Sequence, residues 1–150
     1  MRKQETTRYS IEVHTIIQAP IRDAWALLVD PVQLGRLFWD STVESDFLPG
    51  HPIVWKGVWE GKRFEDKGTI RQAKAPTLLQ CTHWAPSSGP DIEENYALLT
   101  WQLSEEKDGV RVTFRHENIA TLQMKEHSEP MWKMLLDRMK EMLEKTKQPR

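Results

Sequence analysis

Hydrophobic and polar residues alternate from Tyr9 to Ile17. Tyr9, Ile11, Val13, Thr15 and Ile17 fall on one side; Ser10, Glu12 and His14 fall on the other. A period of two predicts a strand with one buried and one wet face, and only Ile16 departs from it. After Pro20 the period lengthens. Ile21, Ala24, Trp25 and Leu28 recur at the spacing of an amphipathic helix, and the fixed φ of Pro20 suits its first position. Asp30-Pro31 restarts the pattern. Asp30 caps a second short helix, Pro31 begins it, and Gln33 stands where a capping-box partner belongs. Val32, Leu34 and Leu37 carry it to about Phe38.

From Thr42 to Ile119 the alternation returns in pieces. Turn signals at Pro49-Gly50, Glu60-Gly61, Ser88-Gly89-Pro90 and Asp108-Gly109 separate strands over 53–59, 63–72, 78–84, 95–103 and 110–119. Ala97, Leu99, Trp101 and Leu103 share one face. So do Val110, Val112 and Phe114, and so do Phe64, Gly68 and Ile70. The strand over 78–84 declares no face. Connections this short join antiparallel neighbours. The last pattern is helical again. Ser128 caps, Glu129 and Pro130 suit a first turn, and Trp132, Leu135, Leu136, Met139, Met142 and Leu143 form one stripe reaching about Lys145. Lys133–Asp137 and Glu141–Lys145 form i,i+4 pairs on the polar side, where Lys140 also lies.

One strand, two short helices, about six strands and one long helix is an order with few solutions. The long helix needs an apolar surface, and the inward face of the sheet is the only large one. The predicted fold is α+β: a strongly curved antiparallel sheet wrapped around the C-terminal helix. A helix cannot fill a concave sheet along its whole length, so a gap remains that suits a ligand.

Composition narrows the picture. The 150 residues suit a single domain over 1–150 with an ordered core at about 9–145, large enough to fold without metal or disulfide staples. The polar tail KTKQPR is expected to fray. Lys plus Arg total 21 against 22 Asp plus Glu, so the net charge of −1 lacks the footprint of a nucleic-acid binder. Cys81 is the single cysteine, which excludes an internal disulfide and Cys-rich zinc modules. No apolar run approaches the roughly 20 residues that cross a bilayer. MRKQETTRYS has no apolar stretch behind its basic residues, so a cytoplasmic protein, monomeric or homodimeric, is expected. Tryptophan is the unusual count: seven, beside two Tyr and four Phe. Each is large and carries an N–H that needs a partner, so the set implies a large core, a pocket, or both.

Four segments carry a resemblance: APIRDAWALLVDPVQL, VWKGVWEGKRFEDKGTI, THWAPSSGPDIEENYALLTWQL and SEPMWKMLLDRMKEMLE. Their order and spacing resemble the helix-grip (SRPBCC, START-like) superfamily of birch-pollen-allergen-like proteins, START-type lipid-binding domains and polyketide cyclases. Within it they look most like homologues of the activator of the Hsp90 ATPase, over roughly residues 11 to 145. The resemblance implies a helix-grip fold, a chaperone partner and a stress-response setting. It reaches only the C-terminal part of the eukaryotic co-chaperone, and none of the four segments is a catalytic motif.

Candidate site residues follow from face and parity. Trp101, Phe114 and Phe64 lie on inward strand faces, and Trp55 shares the parity of Ile53. Trp55, Trp84 and Trp101 fit a pocket wall as well as a packed core, whereas Trp25 and Trp132, on helical stripes, read as core. His116 shares parity with Val112 and Phe114, and Asn118 follows on the same face. A neutral inward histidine could orient a ligand carbonyl or act as a general base; more often it is a paired histidine at the core edge. The expected ligand-binding set is Trp55, Phe64, Trp84, Trp101, Phe114 and His116. His83 either holds the loop over 87–95 or lines the cavity mouth. His14 points outward, His51 and His127 fall in loops, and Asp91, Glu93 and Glu94 form a solvated face. No metal is expected: there is no HExxH, and Glu117 has the wrong parity to join His116. There is no GxSxG elbow and no phosphate-cradling loop, and Cys81 reads as a buried, inert thiol. No cofactor and no catalytic residue are assigned.

Three functions compete. The first is non-catalytic binding of a small hydrophobic or aromatic ligand, resting on the cavity and the Trp count. The second is a cyclase- or hydrolase-type enzyme of the same fold, with His116 or Asp40 as its acid-base group. The third is a chaperone-interaction module acting through its surface. They rank in that order.

Overall fold

The alternation of the first strand survives in the computed structural model, which describes residues 8–145. The expected lack of a leader and the frayed tail beyond Lys145 fall outside them. Strand β1 (Tyr9–Ile17) is followed by α1 (Ile21–Leu28), α2 (Pro31–Leu37), β2 (Thr42–Glu44) and β3 (Pro52–Trp59). Then come β4 (Lys62–Lys74), β5 (Leu78–His83), β6 (Ala97–Glu106), β7 (Gly109–Ile119) and α3 (Leu122–Lys145). The seven strands form one curved antiparallel sheet in the order β1-β7-β6-β5-β4-β3-β2. Sequence neighbours pair from β2 to β7, as their short connections require. The two short helices carry the chain from β1 at one edge to β2 at the other. The helix α3 then packs against β1 and β7, and the architecture is the α+β helix-grip fold expected.

Helix ends differ from the sequence reading in instructive ways. Pro20 is the N-cap of α1, one place before the first helical residue. Asp30 caps α2 by accepting from the Val32 amide at 2.9 Å, but Gln33 does not close a capping box. Its amide donates to the Asp30 carboxylate at 3.0 Å instead, because an ionised carboxylate is the stronger acceptor. The helix α3 starts at Leu122 rather than after Ser128. Thr121 caps it, its hydroxyl accepting from the Met124 amide at 3.1 Å. Pro130 therefore lies inside the helix and His127 on it. Both Pro130 and Glu126 are exposed, so the carbonyl that loses its N–H partner remains within reach of water.

The stripe of α3 buries Trp132, Leu135, Leu136, Met139 and Leu143. On its polar side Lys145 meets Glu141 at 3.6 Å, as the spacing predicts, but Lys133 reaches back to Glu129 at 3.8 Å rather than forward to Asp137. Glu placed before Lys is the better i,i+4 order. Lys140 is not a free polar-face residue. Its Nζ donates to the Ile16 carbonyl at 2.8 Å and to Glu144 at 2.9 Å, and Glu144 accepts from the Gln18 amide at 2.9 Å. The end of β1 is thereby clamped to α3.

Strand β5 shows no face in the sequence because its outward side chains are also engaged. Leu79 and Cys81 point into the core, while Gln80 bonds Gln72 at 3.1 Å and Thr100 at 3.0 Å. Burial pushes the Cys81 thiol up to about 12, which leaves it inert at neutral pH. The neighbouring strand β4 passes so close that a Cβ on Gly68 would overlap the carbonyl of Thr82. Only glycine fits there, and the close approach lets Lys67 and Trp84 form one further bridge beyond β5.

Candidate functional site

Between the N-terminal half of α3 and the strands from β3 to β7 lies a cleft of about 710 Å³. Inward-pointing residues of consecutive strands build its wall: Trp55 from β3, Phe64 and Asp66 from β4, His83 from β5, Leu99 from β6 and His116 from β7. Met131 and Trp132 close it from α3, and Phe38 to Ser41, the turn after α2, close it from the side. Trp39 and Asp40 both have positive φ, at 53° and 61°, so the chain reverses sharply there. The aromatic groups touch in series. Phe38 lies 6.4 Å from Trp55 and 6.1 Å from Trp132, and Trp39 lies 6.3 Å from Trp59.

Two polar arrangements in the wall are specific. His83 Nε2 lies 3.0 Å from Asp66 Oδ2, and the His83 ring meets Trp55 edge-on at 5.0 Å. His116 Nδ1 accepts from Trp132 Nε1 at 3.0 Å. Burial, and secondarily the nearby His83, lower the His116 pKa from 6.5 to about 4, so this ring is neutral at pH 7. Trp55 Nε1 is buried without a hydrogen-bond partner.

The six residues singled out from the sequence separate into three sets. Trp55, Phe64 and His116 lie in the cleft wall. Trp101 and Phe114 are buried behind it, their rings 4.6 Å apart, and Phe114 in turn supports Trp132 at 4.4 Å. Trp84 stands apart in the loop after β5. It stacks on Tyr96 with ring centres 6.4 Å apart, and its Nε1 donates to the carbonyls of Gly89 and Pro90 at 3.2 and 3.3 Å. Lys67 lies over the Trp84 ring at 5.4 Å from its centre, and also pairs with Asp91, so Asp91 is tied down rather than merely solvated. Trp132, read as core, is buried and also forms wall.

Asn118 lines the cleft together with His116, but not by simple alternation along β7. Between the β1 positions Tyr9 and Ile11 the partner strand advances from Ile119 to His116, so β7 carries an extra residue. This bulge gives Asn118 a φ of 70°, and its amide donates to the carbonyls of Glu94 and Tyr96 at 3.0 and 2.9 Å. Asp40, the other acid-base candidate, is 80% exposed and pairs with Arg138 at 3.6 Å. Among the described residues no hydrogen bond joins it to His116, whose bonded partner is Trp132. Sequence reasoning missed the Asp66–His83 pair, although a signal existed: Asp66 has the inward parity of Phe64, Gly68 and Ile70. Among the described residues no three His, Cys, Asp or Glu side chains gather as metal ligands, and no helix is long and apolar enough to cross a membrane.

A comparison with protein families matches residues 18–144 to the family described as Activator of Hsp90 ATPase homolog 1-like protein. A comparison with curated proteins found no match. Among solved structures, ChR145 from Cytophaga hutchinsonii is similar over 95% of this chain and 98% of its own, with 39% identity and a TM-score of 0.80. The Aha1 dimer from Colwellia psychrerythraea is similar over 93% and 99%, with 18% identity and a TM-score of 0.75. CalU16 from Micromonospora echinospora is similar over 86% and 72%, with 22% identity and a TM-score of 0.66. The last two likenesses concern the fold alone.

Proposed function

The chain belongs to the activator of Hsp90 ATPase homolog 1-like family, and from that premise we propose that it binds a small hydrophobic or aromatic molecule in the cleft, without transforming it. The observation that carries this reading is the cleft itself. Its volume of about 710 Å³ falls within the range of small-molecule sites, and its wall is mainly apolar and aromatic. Trp55, Phe64, His116 and Trp132 are the contact residues proposed. Trp101 and Phe114 support the wall from behind, and Trp84 anchors the loop at its mouth.

A neutral apolar fluorophore, N-phenyl-1-naphthylamine, tests the reading. It should bind saturably in the micromolar range, because each buried methylene-sized group contributes about 0.8 kcal/mol against the entropic cost of association. Ser128→Phe, on the cleft side of α3, should weaken binding tenfold or more, about 1.4 kcal/mol, with an unchanged denaturation midpoint. Equal affinity in that variant would put the site elsewhere, and no binding at all would remove the reading. A second reading, a cytoplasmic chaperone-interaction module, draws support from Val58 and Trp59, which stand exposed at the end of β3.

A further inference from the structure

A cleft made for hydrocarbon alone needs no unpaired N–H group deep in its wall, and two of the N–H groups in this wall, on His116 and Trp55, lack a partner among the described residues. An indole can only donate, so the bond from Trp132 Nε1 fixes His116 Nδ1 as an acceptor and leaves the ring hydrogen on Nε2. Among the described residues that Nε2–H has no partner, and the ring lines the cleft. The second donor is Trp55 Nε1–H, on a side chain only 4% exposed. It is the one buried side-chain polar atom among the described residues that has no hydrogen bond. A buried donor left unpaired is costly, and a wall residue is the place where a ligand can relieve that cost. The His83 ring lies roughly perpendicular to that of Trp55, and its own Nε2 is engaged with Asp66.

The geometry points to a ligand that carries a neutral hydrogen-bond-accepting oxygen on a flat apolar body, the oxygen seated on His116 Nε2–H with Trp55 Nε1–H as second donor. The chemical class is that of ketones and quinones rather than plain hydrocarbons. An anionic oxygen is disfavoured, since Asp40, Glu65 and Asp66 outnumber Arg8 and Arg63 around the cleft. Trp132 acts as a positioning residue, because it selects the tautomer that can donate. The inference rests on the ligand-binding reading above and adds the polar half of the recognition.

Fluorene and fluorenone make the test, being flat tricycles that differ by one carbonyl. Quenching of tryptophan fluorescence by each should give fluorenone the higher affinity by about three- to tenfold, the value of one neutral hydrogen bond. The indole proton of Trp55 should move downfield in nitrogen-edited spectra with fluorenone and not with fluorene. Trp55→Phe removes the donor together with part of the aromatic surface, so it should weaken fluorenone binding more than fluorene binding and lower the fluorenone-to-fluorene ratio. Fluorene binding as tightly as fluorenone in the unmodified protein would overturn this inference and leave the binding reading standing. If neither compound binds and N-phenyl-1-naphthylamine also fails, the binding reading falls and takes this one with it. An unchanged ratio in Trp55→Phe would remove Trp55 from the assignment.

Discussion

The two halves of α3 meet the same sheet with opposite results. Toward its C-terminus, Leu135, Leu136, Met139 and Leu143 are buried in one core with Ile17, Val110 and Val112, and the contact is sealed by Lys140 on the Ile16 carbonyl and Glu144 on the Gln18 amide. Arg138 adds a 2.8 Å bond from its Nε to the carbonyl of Arg36 in α2. Toward its N-terminus, Ser128, Met131 and Trp132 face the cleft, across from Asp66, His83 and His116. The apolar stripe runs through both halves, so the stripe does not distinguish a filled interior from a hollow one. The strands opposite it do. Aliphatic residues face the sealed half; aromatic and titratable ones face the open half.

The sharpest way to break this contrast is a charge in the sealed half. Met139→Asp should unfold the protein, because an unpaired buried carboxylate costs several kcal/mol against a total stability of about 5–15 kcal/mol. A denaturant midpoint that barely moves would mean that the C-terminal half of α3 is not packed.

A smaller effect belongs to the open half and depends on pH. His116 has a folded-state pKa of about 4 against 6.5 when free. Between these values the unfolded chain binds a proton that the folded chain refuses. Stability should therefore be complete above pH 6.5 and fall as pH drops toward 4, by up to about 3 kcal/mol from this group. Denaturation midpoints between pH 7 and pH 4 should show the slope, and His116→Gln should flatten it. An equal slope in the variant would mean that the ring is charged in the fold and the cleft is wet.

The mildest effect tests the clamp. Lys140→Met should cost about 1 kcal/mol through the hydrogen bonds it loses. It should also speed amide exchange at Gln18, whose acceptor Glu144 loses its companion. No change in either would show the clamp to be incidental to the seal.

Much of the architecture is legible in the chain because period and parity reflect burial. The β1 alternation, the stripes and the glycine-marked turns place every strand from β3 to β7, and the element order leads to the sheet around α3. What escapes is what neighbours decide. The start of α3 depends on Thr121 and overrides Pro130. Trp101 and Phe114 have the same inward parity as His116, and only the depth of the cleft separates lining from backing. Trp84 escapes because it lies just past the end of β5, joined to β4 by one bridge to Lys67, and Asn118 because a bulge interrupts the alternation of β7. His83 and Asp66 lie on separate strands, and their 3.0 Å meeting is a property of the pairing between β4 and β5.

The loop between β5 and β6 has a consequence for kinetics. Residues 85–88 form one lip of the cleft, and the loop is laced to itself and to β7: Trp84 to Gly89 and Pro90, Asn95 to Pro90, Tyr96 to Asp91, and Asn118 to Glu94 and Tyr96. Such a lip is already shaped before anything arrives. An incoming molecule meets no segment that must first be ordered, so little association free energy is lost to that ordering. If the cleft binds as proposed, entry should proceed at nearly the same rate for molecules of similar size, and discrimination among them should lie in how long each stays.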